Sequence, residues 1–278
     1  MDDVGREDWV AVRKIREAAF GGVTLRLVEK DRRFIGLIID GGIKGQIEGE
    51  SADDVWRRLH DEAGKANPKY AGFDGARNRF LHWFAGGFHS PNYLAQERDY
   101  KLRAKSKLDS SVPLETAATG SGFGEAVWTV FQTNLLSPFE KMRVRDALRS
   151  AWADAFIRAA ARFTLGEGAP ALLDMQQALK PHDSAKWTVV TYLPFLWRPE
   201  QHMFLKPEAT KDFAARVGHR FASDYESRLD LAVYESLLDL ASRTATELAD
   251  LRPRDRIDVQ SFIWVVGDYK EGRETPRA

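Results

Sequence analysis

Cysteine is absent from all 278 residues. That single absence removes disulfides, zinc–thiolate sites, iron–sulfur clusters and thiol nucleophiles from consideration. Net charge is missing as well: 41 lysines and arginines balance 41 aspartates and glutamates. Attraction of the whole molecule to nucleic acid or membrane is not indicated, so any such binding has to come from local clustering. Nowhere is there the run of about 18 apolar residues that a membrane span needs. The opening MDDVGREDWV is acidic and lacks the apolar core of a signal peptide. Together these absences predict a cytoplasmic protein, and the Ala/Arg-rich composition has a bacterial flavour. Gly-x-Ser-x-Gly is absent, and no segment repeats. No cofactor is expected.

What is present suffices for a packed core: 44% of residues are hydrophobic and 11% aromatic. The length suits one large domain or two small ones. Over residues 6–20, Trp9, Val12, Ile15 and Ala19 recur at helical spacing, and Gly21-Gly22 ends the run. The period then changes to two. Val23, Leu25 and Leu27 alternate with their neighbours, Asp31-Arg32 makes a turn, and 34–39 is almost wholly apolar. Asp40-Gly41-Gly42 is a hairpin signal, because these residues tolerate positive φ. A third strand over 43–48 leads to Ser51 and Asp54, an approximate capping box that opens a helix. The pattern predicts an α-β-β-β-α module over 1–68, with a three-stranded antiparallel meander, and a mainly helical α+β body over 69–278. Double-stranded-RNA-binding domains share this order of elements, but 53–65 lacks the lysine cluster such readers carry, and the likeness is one of topology alone.

In the body, Ser90-Pro91 and Ser137-Pro138 are helix starts, with serine as cap and proline in the first turn. The first helix is expected to reach Leu108 and the second to run over 138–163. Residues 109–125, small and polar, read as a linker or a mobile surface loop. KWTVVTYL reads as a buried strand and HMFL as a short second one, with helices over 170–180, from Pro207 to Gly218, and over 230–251. The run IDVQSFIWVV has no clear periodicity. It is either a core element whose polar Asp258, Gln260 and Ser261 bond inward, or a subunit interface.

The chemistry concentrates in FLHWFAGGFHSPNYLAQERDYKLRAKSKL, residues 80–108. A glycine pair before a capped helix offers inward-turned N–H groups and a positive dipole end to an anion. Arg77, Arg79, His82, His89 and Ser90 surround that position, and Arg98, Lys101 and Lys105 share one face of the helix beyond it. These eight residues are the candidate phosphate-binding set. The plain alternative is a turn packed by Phe80, Phe84 and Phe88, followed by a solvated basic face. Metal chemistry finds less support: no acidic-x-Lys follows Asp40, and His60-Asp61 and His182-Asp183 have no further ligands at suitable spacing. GSGFGE at 120–125 follows no predicted strand and lacks Gly-Lys-Ser/Thr.

The leading expectation is a nucleic-acid-binding or accessory protein, of the kind a bacterial defence or mobile-element system uses, holding DNA or RNA phosphates on the basic helix. A second reading is an interaction or scaffold subunit using the aromatic-rich C-terminal half, with Trp197 and Trp264 at the interface. A third is a phosphoester-processing enzyme built on His82 or His89.

Overall fold

The computed structural model describes residues 12–20 and 22–269. The fold is α+β: a four-stranded antiparallel sheet precedes a mostly helical body. The chain forms two compact units. One runs up to Gly72 and includes Ala214–Ser223; the other comprises Phe73–Phe213 and the chain from Asp224 onward.

In the first unit β1 (Arg13–Phe20), β2 (Val23–Lys30), β3 (Arg33–Ile39) and β4 (Ile43–Gly49) pair in sequence order as a meander. The helix expected over 6–20 is therefore a strand where the structure describes it, and the sheet has four strands instead of three; Trp9 lies outside the described residues. The cause is a bulge. Lys14 pairs with Val28 and Arg16 with Leu27, leaving Ile15 as an extra residue. Past the bulge the core side of the strand is carried by Ile15 and Ala18, while Ala19, counted in the expected helical stripe, is exposed.

The β2–β3 hairpin closes through Asp31 and Arg32, at φ 53° and 61°. Positive φ at both central residues matches the strand twist in a two-residue turn. The helix α1 (Ala52–Gly64) follows, its cap Ser51 accepting from the Asp54 N–H. It lies on one face of the sheet, where Leu25, Leu27, Ile38, Val55 and Leu59 are buried. Gly36 permits this approach, since a Cβ there would meet Val55 and Leu59 methyls at 3.1 Å. The returning segment joins the same unit: the Ala71 N–H donates to the Arg216 carbonyl at 2.9 Å, and Ala222 packs on the core.

The second unit begins with α2 (Gly72–Trp83), counted from Phe73. A turn at Pro91–Tyr93 and a π-helical turn at Leu94–Arg98 lead into α3 (Asp99–Ser111). Residues 109–125 are structured: α3 extends into them, a short helix spans Leu114–Ala117, and Val112, Leu114 and Ala117 are buried. Next come α4 (Gly124–Phe131), α5 (Pro138–Leu148), α6 (Ala153–Thr164) and α7 (Ala169–Leu179). The single helix expected over 138–163 is thus two. Ser150 makes the break, its hydroxyl donating to the Ala147 carbonyl and accepting from the Trp152 N–H.

KWTVVTYL is helical: α8 (Trp187–Val190) and α9 (Tyr192–Trp197) replace the expected strand. Both are buried all round, which erases the polar face that would have given the helical period away. Their hydroxyls are bonded, Thr191 to the Trp187 carbonyl and Thr188 to Glu140. HMFL is neither strand nor helix. Further helices are α10 (Pro207–Arg216), which runs on into the first unit at Ala214, α11 (Leu231–Glu247) and α12 (Arg256–Asp268). No helix among the described residues is long and apolar enough to cross a membrane.

Candidate functional site

The glycine pair and the cap form as expected: Gly87 takes φ +62°, and Ser90 Oγ accepts from the Tyr93 N–H at 3.2 Å. Of the basic face only Lys105 reaches solvent, and only in part. Arg98 and Lys101 are buried against α12, whose Asp255, Asp258 and Ser261 recur every three residues along one stripe. Arg98 donates to both Asp255 oxygens at 2.8 and 2.6 Å and to Asp258 Oδ1 at 2.8 Å. Lys101 donates to Glu97 at 3.2 Å and to Ser261 at 2.8 Å. The hydroxyls of Tyr93 and Tyr269 donate to Asp258 and Glu97, each at 2.6 Å.

This network corrects the exposed phosphate track: its two central cations are spent inside the helical unit. A buried charge needs a partner: Arg98 has Asp255 and Asp258 at the start of α12, and Lys101 has Glu97 four residues earlier. Burial alone would raise the pKa of Asp258, but bonds from Arg254 and Tyr93 hold it below the usual carboxylate range. Burial depresses the Lys101 ammonium, with Glu97 opposing.

The other expected residues are dispersed. Arg77 pairs with Asp250, and Arg79 donates to the carbonyls of Val266 and Tyr269 at the end of α12. Lys105 bridges Asp109 at 2.9 Å and the Trp197 carbonyl at 3.0 Å. His82 and His89 are exposed, His82 lying edge-on to Trp83. Trp197 is only 4% exposed, its indole N–H bonded to the Val112 carbonyl, so it is core and not interface. Trp264 is half-buried beneath the Lys206 ammonium, 4.4 Å from its ring centre. Among the described residues no group of three or more His, Asp and Glu is placed to hold a metal ion.

A concave site does exist within the helical unit, away from the expected phosphate-binding set. It is a cleft of about 320 Å³ between α5, the segment entering α8, and Pro207, with Tyr225 and Ser227 on its wall. Trp187, Val189 and Pro207 supply apolar lining, and the Trp187 indole is fixed by its bond to the Glu226 carbonyl at 2.8 Å. At the mouth stands Phe139, 76% exposed, with Met142 one turn on at 54%.

The polar groups of the cleft are paired. Ser137 and Glu140 form a full capping box at the start of α5, and Thr188 donates to Glu140 Oε1 at 2.5 Å. Burial would raise the Glu140 pKa, but the bonds from Thr188 and Ser137 outweigh it, so the carboxylate stays ionised. Asp183, held at φ 46°, receives Lys186 at 3.1 Å and also Arg143. The Lys186 bond, then the Arg143 charge, lowers its pKa. Aspartate is among the few residues that tolerate this left-handed conformation.

Comparison with protein-family models, curated proteins and solved structures returns no match.

Proposed function

We propose that this protein is an interaction subunit that docks a partner polypeptide in the α5 cleft. The observation that carries the reading is Phe139, an aromatic ring three-quarters exposed at the mouth of a concave, apolar-floored site. A single exposed apolar side chain is ordinary. An aromatic contiguous with Met142 and opening on a pocket is the arrangement in which a few anchors supply most of a binding energy. The side chains of the cleft pair as ions and caps, not as nucleophile and base, which favours recognition over catalysis. The nucleic-acid reading drew most on Arg98 and Lys101, whose burial leaves it with less support.

The test is selection of a displayed random-peptide library on the wild-type protein, with Phe139→Ala as comparison. Because Phe139 is exposed, the variant should unfold within about 0.5 kcal/mol of wild type. Selected peptides are expected to bind the wild type at least tenfold more tightly than the variant, a difference of about 1.4 kcal/mol. Selected peptides that bind both equally would overturn the proposal.

A further inference from the structure

We infer that the open face of the four-stranded sheet is a self-association surface whose occupant is a second copy of this chain. It is separate from the α5 cleft and does not depend on Phe139. Helix α1 packs on the face that carries Leu25, Leu27, Gly36 and Ile38. Alternation along β3 turns Ile35, Leu37 and Ile39 to the opposite face. The register sets Glu48 beside Ile35, Gln46 beside Leu37 and Ile43 beside Ile39. The three β3 residues lie outside the core cluster and are half-buried, and Ile43 is 65% exposed. A sheet face meant for water alternates to polar residues. The central strand β3 instead presents an unbroken aliphatic row there.

The charges beside that row identify what covers it. Lys44 and Glu48 stand on either side of Gln46 in β4, as Ile39 and Ile35 stand on either side of Leu37 in β3. Glu48 accepts a bond from Gln46 at 2.7 Å, and neither Lys44 nor Glu48 has an ion-pair partner among the described residues. Because Leu37 pairs with Gln46, both rows are symmetric about one line across the strands. A two-fold axis along that line lays each strand over its own copy in the reverse direction. Ile35 then meets the copy's Ile39, Leu37 meets Leu37, and Glu48 meets Lys44. Each contact occurs twice, as an isologous interface requires. Arg26 and Glu17 lie on the same line and meet their mates as a neutral pair, since they are bonded to each other within each copy. Lys14 falls against Ala19, and Lys30 and Arg33 fall towards the Asp40 turn. Two sheets stacked in this way pack aligned, about 10 Å apart. Four strands about 4.8 Å apart and about 23 Å long cover roughly 440 Å² per copy. That is the size of a weak, reversible interface, so the dimer should form with a dissociation constant of about 10–100 µM.

Sedimentation velocity on the full chain, up to about 500 µM and at low and high salt, tests this. The variants are Leu37→Asp, Lys44→Glu, Glu48→Lys, the exchange Lys44→Glu/Glu48→Lys, and Phe139→Ala, each checked for folding by circular dichroism. Wild type and Phe139→Ala are expected to dimerise alike, and Leu37→Asp to stay monomeric. Either single charge reversal should weaken the dimer about tenfold, because it sets like charges against each other twice. The exchange should restore wild-type affinity to within about twofold, which a merely destabilising change would not do. If Leu37→Asp fails to fold, the charge series decides alone. A wild type that remains monomeric throughout, whether the face is bare or covered by something else, overturns the proposal. So does a dimer that survives Leu37→Asp, one lost with Phe139→Ala, or an exchange no better than the single reversals.

Discussion

Replacing Lys101 with methionine asks directly whether the basic helix faces solvent or the core. Lys101→Met keeps the length of the stem and removes the ammonium. The Glu97 carboxylate is almost fully buried and, among the described residues, would then keep only the Tyr269 hydroxyl, at 2.6 Å, as hydrogen-bond partner. Ser261 Oγ would lose its 2.8 Å donor but retain its own bond to the Ile257 carbonyl. Removing one member of a buried ion pair typically costs about 3–5 kcal/mol, because the remaining charge is uncompensated. Set against a typical domain stability of about 5–15 kcal/mol, that is a large loss. The double variant Glu97→Gln/Lys101→Met removes both charges and should recover much of it, so the two changes will be strongly non-additive. Urea unfolding followed by tryptophan fluorescence and circular dichroism gives the numbers, as a shift of midpoint at constant m. A solvated lysine would change stability by less than about 0.5 kcal/mol. A Lys101→Met value in that range, or simple additivity in the double variant, would refute the buried network.

Two further outcomes follow from the sheet-bearing unit. His60 is 2% exposed between Phe20 and Trp56, with neither ring nitrogen bonded among the described residues. Burial, then the charges of His219 and Arg220, pushes its pKa down from 6.5 to about 3. The folded form therefore stays neutral while the unfolded chain takes a proton below pH 6.5. Stability should fall as pH drops from about 6.5 towards 3, at up to about 1.4 kcal/mol per unit. Unfolding at pH 7, 5 and 4 should show this slope in wild type and its loss in His60→Phe; equal slopes would count against it. At the β2–β3 turn, Asp31→Asn/Arg32→Gly puts residues suited to positive φ where Arg32 now sits at 61°. A gain of about 0.5–1 kcal/mol in thermal or urea unfolding is expected, and a loss would mean that the turn is not of this type.

Features that depend on a few neighbouring residues were legible in the sequence. The caps at Ser51, Ser90 and Ser137 and the Asp31-Arg32 and Asp40-Gly41-Gly42 turns all form where local chemistry puts them. Features that depend on distant partners were not. A bulge at Ile15 turned a strand into an apparent helix. Burial on every side gave Trp187–Trp197 the look of a strand, with its valines and threonines reinforcing the impression. Arg98 and Lys101 read as a solvated face because the Asp258 that pairs Arg98 and the Ser261 that accepts from Lys101 lie about 160 positions away. One signal was available: Asp255, Asp258 and Ser261 stand at three-residue intervals at the start of a helix that is mostly apolar from Phe262 to Val266. The cleft had no such signal, since its walls come from segments near 140, 185, 207 and 226 that no short pattern connects.

The position of those partners has a consequence for synthesis on the ribosome. A chain emerging from its N-terminus makes Arg98 and Lys101 long before Asp255, Asp258 and Ser261 exist. Until then Arg98 lacks both of its carboxylates and could be buried only at a large desolvation cost, while Lys101 has Glu97 but not the Ser261 acceptor. The network that joins α3 to α12 can therefore be completed only after residues 255–261 have been made.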